Sequence, residues 1–411
     1  MKDLSFEAQM LHIPYEQPDV YGALSMPVYQ SVSFEFDTAE AMEAAFCGRS
    51  SAHTYSRISN PTVQYFEQRV QRAIGAFGVT ALSSGMAAIF STLANCAYAG
   101  SNVIVSSHLF GNTYVLLRHT LEGFGVEPRF CNMSDPAEVA SRIDGQSCAV
   151  FLEVISNPQM EVADLSALSD VCRKAGLPLI ADTTAIPFTA FRASDFGVDV
   201  EIISSTKYIS GGATSVGGLI VDYGSFDWSE NPVLRRWAGG NGREAFGARL
   251  RREVHRNLGA YMSPQTAALQ TLGLETLKLR FERQASTALE LARRLRRLEG
   301  VRAVNYSGLE EHPHFEISSR QFGDHPGAML TFDLASREAC FELINKLKMI
   351  RRATNLFDNR SLIIHPASTI YGLLTEELRQ SMDVKQECIR LSVGLESADD
   401  LYGDLEQASL R

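Results

Sequence analysis

Lys207 is the residue whose neighbours best equip it for chemistry. It closes the run Ser204-Ser205-Thr206-Lys207, which follows Val200, Ile202 and Ile203, a short β-branched apolar stretch that reads as a buried parallel strand. Gly211 and Gly212 come soon after. A strand that ends in hydroxyls and one amine places them at the carboxyl edge of a sheet, where open α/β folds bind ligands. Hydroxyls can hold a phosphate while the amine attacks a carbonyl, which is the equipment for a Schiff base with pyridoxal phosphate (PLP). The plainer reading, a solvated lysine beside a strand end, stands next to it.

Other residues could complete such a site, and each has a rival reading. Ser83-Ser84-Gly85-Met86 precedes a helical pattern with Met86, Ile89, Phe90 and Leu93 on one face. A serine cap, a glycine permitting close approach and the first-turn N–H groups make an anion site, or an ordinary helix start. Asp182 ends the run PLIAD, 25 positions before Lys207. A carboxylate there could keep a pyridine nitrogen protonated, turning the ring into an electron sink, or could simply cap the next turn. Glu153 and Asn157 flank another strand end and could position a ring or its oxygen. Arg390 lies inside the apolar strand IRLSVGLE, where an unpaired guanidinium is costly. A bound carboxylate satisfies it in fork geometry; an ion pair with a nearby Glu is the alternative. Tyr55 and Arg57, two apart in HTYSRISNPT, point the same way if that segment is extended, so both could reach one phosphate. The joint occurrence of these groups favours PLP.

The elements needed to position them follow from periodicity. Pro61 fits a first helical position, with Val63, Phe66, Val70 and Ile74 recurring at three and four. Candidate strands then fall at 103–106, 149–155, 178–182, 200–204 and 216–221, with amphipathic segments such as 165–175 between them. That alternation predicts a large, mostly parallel-sheet α/β domain over 61–255. A Gly- and Arg-rich linker zone is expected at 237–252, and one long helix from Pro264 to about Leu298 with the arginines at 280, 283, 293, 294, 296 and 297 on its solvated side. Strands at 328–334, 361–364 and 388–393 mixed with helices at 338–348 and 375–382 predict a smaller α+β domain within 256–411. Residues 1–60 carry turn signals at Pro14, Pro18, Gly22, Pro27, Gly48 and Asn60-Pro61 but many aromatics, Tyr15, Tyr21, Tyr29, Phe34, Phe36, Phe46 and Tyr55 among them. They are expected to form an arm that packs on a neighbouring subunit.

Composition bounds the rest. A chain of 411 residues exceeds the usual single core, and 45% apolar with 21% charged residues is ordinary globular usage. A net charge of -10 argues against a general nucleic-acid surface. Seven widely spaced cysteines without a CxxC pair or zinc spacing indicate neither a disulfide framework nor a metal site. No signal-length apolar core opens the chain and no 18-residue apolar run occurs, so no membrane span and a cytoplasmic location are expected.

The motifs YSRISNPT, SSGMAA, the strand end at Asp182, SSTKYISGG, DNRSLIIHPAST and IRLSVGLE make the sequence resemble, over essentially its whole length, the cystathionine γ-synthase-like family of Cys/Met-metabolism PLP enzymes. The resemblance implies PLP fold type I, the aspartate-aminotransferase-like fold, and a homotetramer of tight dimers with sites shared between subunits. It implies that Tyr55 and Arg57 bind the partner's PLP phosphate together with Gly85, Met86, Ser204 and Thr206. Lys207 would carry the Schiff base, Asp182 would pair with the pyridine nitrogen and Phe110 would stack on the ring, with Lys207, Phe110 and Tyr55 at the reacting centre. Arg390 would take the substrate carboxylate, near Asn355, Asn157 and Glu153.

Three positions depart from the family pattern. Phe110, in HLFGNTY, stands where members usually have Tyr and cannot supply its hydroxyl. Asn112 stands where methionine γ-lyases have Cys, and Asn355 replaces a common Ser. The chain therefore looks more like the O-acetylhomoserine sulfhydrylase branch, which makes homocysteine from an O-acylated homoserine and sulfide. Methionine or cystathionine γ-lyase and cystathionine γ-synthase activities are the alternatives, and a sulfur-carrier protein as sulfide donor is a further one.

Overall fold

A computed structural model describes residues 5–12, 19 and 21–410. Pro14, Tyr15 and Pro18 of the expected arm lie outside the described residues. Strands run in the order β1 (Gly78–Leu82), β2 (Asn102–Ser106), β3 (Glu127–Cys131), β4 (Ser147–Glu153), β5 (Leu179–Asp182), β6 (Val200–Ile203), β7 (Gly218–Asp222), β8 (Ala303–Asn305), β9 (Met329–Asp333), β10 (Arg351–Arg352), β11 (Leu362–Ile364) and β12 (Cys388–Ser392). The first helices are α1 (Phe6–Leu11), α2 (Ala39–Phe46), α3 (Pro61–Ile74), α4 (Gly85–Cys96) and α5 (Gly111–Val115). Chain contacts divide the molecule into two units, residues 1–98, 199–210 and 214–275 in one and 99–198, 211–213 and 276–411 in the other.

In the first unit β7 pairs antiparallel with β1 and with β6. α3 begins where its sequence says it should: the Asn60 side chain accepts the Thr62 N–H, Pro61 sits in the first turn, and Gly75 closes the helix in the left-handed region at φ 75°. Phe66, Val70 and Ile74 form its buried face, each within 2% of full burial. At about 1.5–3 kcal/mol per side chain, that face outweighs the helix's modest intrinsic propensity.

In the second unit β3, β2, β4 and β5 are neighbours in that order, and all their pairings are parallel. β2 is buried throughout, with Val103, Ile104 and Val105 fully covered, as a strand with helices on both faces must be. The chain order reverses between β2 and β4, since β3 lies beyond β2 on one side and β5 beyond β4 on the other. A crevice at the carboxyl ends of such a pair is where doubly wound sheets take ligands. The same unit holds a second sheet in the order β10–β11–β12–β9–β8, in which Arg390 of β12 stands opposite Ile364 and Thr331.

The structure corrects several expectations. The zone 237–252 is not a linker: a 3₁₀ turn at Gly242–Glu244, a helix at Ala245–Arg249 and a π-helix at Leu250–His255 occupy most of it. Phe246, Leu250 and Val254, four apart and buried, anchor this segment despite its glycines. The long helix after Pro264 is two helices, Pro264–Glu275 and Leu277–Leu295, broken at Thr276 (φ -112°, ψ 6°). Arg280 is buried rather than solvated; its Nε donates to Thr276 Oγ1 at 3.1 Å, and it fills the space where a Cβ on Gly211 would lie. β1 and β3 were not foreseen. β3 carries exposed and half-buried residues at three of five positions, as an edge strand does, so its pattern lacks a continuous apolar run.

Candidate active site

In the first unit the turn after β6 carries Ser204, Ser205, Thr206 and Lys207. The Lys207 N–H bonds the Ser204 carbonyl at 3.1 Å, closing that turn. The Thr206 hydroxyl accepts the Gly217 N–H at 3.0 Å and donates to its carbonyl at 3.1 Å, pinning the turn to the start of β7. Lys207 is half-buried, so its amine is not a surface lysine. Against this turn comes the start of α4. Ser84 caps the helix through the Ala87 N–H at 3.0 Å. A Cβ on Gly85 would stand 2.7 Å from Ser204 Cβ, and one on Gly218 would stand 2.1 Å from the Ser84 carbonyl oxygen, so both positions admit only glycine. The structure therefore brings Gly85 and Met86, at a helix N-terminus, to the hydroxyl of Ser204.

Tyr55 and Arg57 are also neighbours, but not in the way foreseen. Tyr55 bridges to Ser33, and the chain then turns: the Ile58 and Ser59 N–H groups bond the Tyr55 carbonyl at 2.8 and 3.1 Å. The segment is not extended past Tyr55. Instead the Arg57 guanidinium lies 5.4 Å from the centre of the Tyr55 ring and donates to the Arg256 carbonyl.

In the second unit Asp182 and Glu153 stand at the same register of adjacent parallel strands, and both are half-buried. Asp182 Oδ1 accepts the Thr184 N–H at 2.9 Å. Glu153 Oε1 accepts the Phe110 N–H at 2.8 Å, a bond that joins the end of β4 to the residue leading into α5. Burial, then the charge of Asp182, push the Glu153 carboxyl up to about 8 against the Phe110 bond. Two carboxylates side by side cannot both ionise cheaply, so Glu153 keeps its proton at neutral pH.

Arg390 is 2% exposed. Its Nη1 donates to Asn157 Oδ1 at 3.2 Å and its Nη2 to the Thr354 carbonyl at 3.0 Å, with the Asn355 carbonyl at 3.5 Å, while Nε has no partner. No carboxylate among the described residues lies within ion-pair distance of it, so the structural ion pair considered from sequence is not its fate. Burial lowers its guanidinium to about 10. Asn355 is half-buried, with its Nδ2 3.5 Å from Asp358 Oδ2. Thus Arg390, Asn157 and Asn355 cluster, and Phe110, Glu153 and Asp182 cluster.

Tyr371 links the two clusters and was missed. Its hydroxyl reaches the Asn157 carbonyl at 2.6 Å and the Leu109 carbonyl at 3.0 Å, and burial holds its proton firmly on. Nothing in the sequence around it marks that role, because both partners are backbone groups more than 200 positions away.

Comparison with known proteins supplies the family. The family model of Cys/Met metabolism PLP-dependent enzymes matches residues 7–409. The chain belongs to that family. The enzyme is 35% identical over 419 residues to O-acetyl-L-homoserine sulfhydrylase 1 of Thermus thermophilus, covering 98% of this chain and all of that one. It is 34% identical to the L-methionine gamma-lyase of Pseudomonas putida, covering 98% and 96%. A solved structure from Campylobacter jejuni, assigned as an O-acetylhomoserine (thiol)-lyase and carrying a pyridoxyl-lysine phosphate, superposes at a TM-score of 0.94 with 32% identity, covering 99% and 100%. The enzyme is therefore PLP-dependent and has the fold of that family.

The residues present fit the cofactor. A helix N-terminus held against a hydroxyl-bearing turn by two glycines that no Cβ could replace is a cradle for a phosphate. A buried guanidinium whose Nε has no partner, with no carboxylate among the described residues at ion-pair distance, has donors left for an anion.

Proposed function

We propose that the enzyme replaces the acyloxy group of an O-acylated homoserine, O-acetylhomoserine in particular, by sulfide, giving homocysteine and the free acid. The observation that carries this reading is the full-length likeness to proteins named O-acetylhomoserine sulfhydrylase, at 35% identity for the Thermus protein. Bound PLP supplies an electron sink for the carbanion at the substrate Cα. Lys207 removes the Cα proton and carries protons to and from Cβ, since Phe110 has no hydroxyl to do so. Asp182, left as the ionised member of its pair with Glu153, holds the proton on the pyridine nitrogen. Gly85, Met86, Ser204 and Thr206, with Tyr55 and Arg57 of a partner subunit, bind the phosphate. Arg390 grips the substrate carboxylate with Asn355 and Asn157 beside it, and Glu153 seats Phe110 against the ring.

Residues 1–60 form the arm that completes a neighbour's site, in a homotetramer; Tyr21 and Leu24 are 94% and 99% exposed, as side chains awaiting a second subunit would be. Residues 61–255 and 256–411 serve as cofactor-binding and C-terminal domains. The cytoplasm is the working compartment, a reading supported by seven cysteines with no disulfide. Among the described residues no helix is long and apolar enough to cross a membrane.

A substrate panel tests the activity. Acetyl-, succinyl- and phosphohomoserine are each offered with free sulfide, and homocysteine is measured. Strong turnover of the acetyl ester supports the reading. Formation of 2-oxobutyrate from methionine alone, without homocysteine from any ester, would replace it with γ-elimination, the activity named for the Pseudomonas relative. Turnover only with a thiocarboxylated carrier protein would make the donor a protein.

A further inference from the structure

Of the four residues that join β2 to α5, the last three are each tied down from a different part of the chain. The Phe110 N–H bonds Glu153 of β4 and the Leu109 carbonyl takes the Tyr371 hydroxyl. His108 is held through both ring nitrogens: Nδ1 lies 2.6 Å from Glu161 Oε2 and Nε2 lies 3.1 Å from Asp383 Oδ2. A neutral imidazole has one N–H and could satisfy only one of these carboxylates, so the arrangement calls for the doubly protonated ring.

The backbone is bent to supply those partners. Among the described residues four non-glycines have positive φ, and two of them are Asp383 itself (53°) and Met160 (60°), the residue before Glu161. Such conformations persist only where the surroundings over-determine them, and they gather at functional sites.

We propose that His108 is a positioning residue for Phe110, holding the segment between β2 and α5 through a charged bridge to Glu161 and Asp383 that opens when the ring loses its proton. The inference rests on the reading of Phe110 as the residue against the PLP ring.

The surroundings fix the direction of the pH dependence. Glu161 and Asp383 face the ring. Behind Glu161 stand His312 and His314, of which His312 is kept uncharged near neutrality because burial lowers it to about 4. Lys385, two residues beyond Asp383, is occupied by Asp333 at 2.8 Å. Glu153 and Tyr371 hold the same segment from the other side and stay protonated at neutral pH. Burial of His108 opposes its charge, but the bonds and charges of Glu161 and then Asp383 outweigh it, so its affinity for the proton is raised. A raised value means that the bridge is fully made below the ordinary histidine value near 6.5 and is lost as pH climbs through the folded one.

PLP affinity of the apoprotein, read from cofactor absorbance at pH 6.5 and at pH 9, tests this without turnover. Each variant is expressed as a ratio to wild type at the same pH, so the cofactor's own ionisation cancels. Phe110→Ala should weaken binding about tenfold at both pH values, the worth of an aromatic contact. His108→Asn should weaken it roughly three- to tenfold at pH 6.5, with the ratio falling towards one at pH 9. Asp383→Asn, altering a side chain that is 73% exposed and so safe for folding, should give the same trend at smaller amplitude. A His108→Asn ratio that is equal at both pH values, or one throughout, would overturn the inference while Phe110→Ala still shows its loss. A Phe110→Ala ratio of one would remove the reading of Phe110 and the inference together.

Discussion

Two regions of the chain, one in each unit, hold candidate site residues and are built on opposite principles. The turn after β6 and the start of α4 rely on hydroxyls, backbone N–H groups and glycines that let the backbone close in. The ends of β4, β5 and β12 do the reverse and gather a protonated Glu153, Asp182, Tyr371 and an uncompensated Arg390. The first arrangement offers an anion a ready seat at low cost. The second leaves the Arg390 guanidinium buried with an unpartnered Nε, a cost that a bound carboxylate would offset.

If that contrast is right, substitutions should separate along it. Lys207→Ala should have the largest effect, a loss of about 10⁴-fold in turnover together with the visible cofactor absorbance, because a proton carrier and the covalent anchor vanish at once. Retained colour and turnover would break the comparison at its start. Arg390→Ala should lower kcat/KM for the amino-acid substrate roughly 10²- to 10⁴-fold, the worth of two charge-assisted bonds of about 1.5–3 kcal/mol each, while cofactor affinity measured by absorbance stays near wild type. Gly85→Ala should do the converse: its Cβ would press on Ser204 and cost about 1–3 kcal/mol, seen as a lower Tm and weaker PLP binding.

The sharpest test is Glu153→Gln in the apoprotein. Glu153 is raised from 4.5 to about 8 in the folded state, so between these values the native protein holds a proton that the unfolded chain has released. Wild-type stability must then fall as pH rises through that window. Glutamine keeps an acceptor for the Phe110 N–H but cannot ionise. The unfolding free energy of the variant relative to wild type should climb by up to about 1.4 kcal/mol per pH unit from 4.5 and flatten beyond about 8. A difference that stays constant with pH would show that Glu153 is ionised throughout.

Much of this was legible in the sequence, for local reasons. β6 with its trailing hydroxyls and Lys207, the cap at Ser84, and α3 between Asn60 and Gly75 each depend on residues within a few positions, where strand pattern and cap chemistry act. What failed needed distant partners. The helical segment 245–255 hid behind its glycines, Arg280 found cover beneath Gly211, and Arg57 folded over Tyr55 rather than lying along an extended strand. Tyr371 and His108 gave no signal at all, because their partners Asn157, Glu161 and Asp383 come from remote turns.

The residue types alone determined the chemistry this protein has at hand: an amine after a strand, hydroxyls to hold an anion, a carboxylate at Asp182 and a guanidinium at Arg390, because each side chain brings its reactivity wherever it is placed. Only the tertiary structure decided which of those groups are charged. Glu153 keeps its proton because it is buried and because Asp182 stands at its register, and Arg390 has no counter-ion among the described residues, its neighbours being Asn157 and two backbone carbonyls. Such outcomes depend on distance and burial, which no linear order of residues specifies.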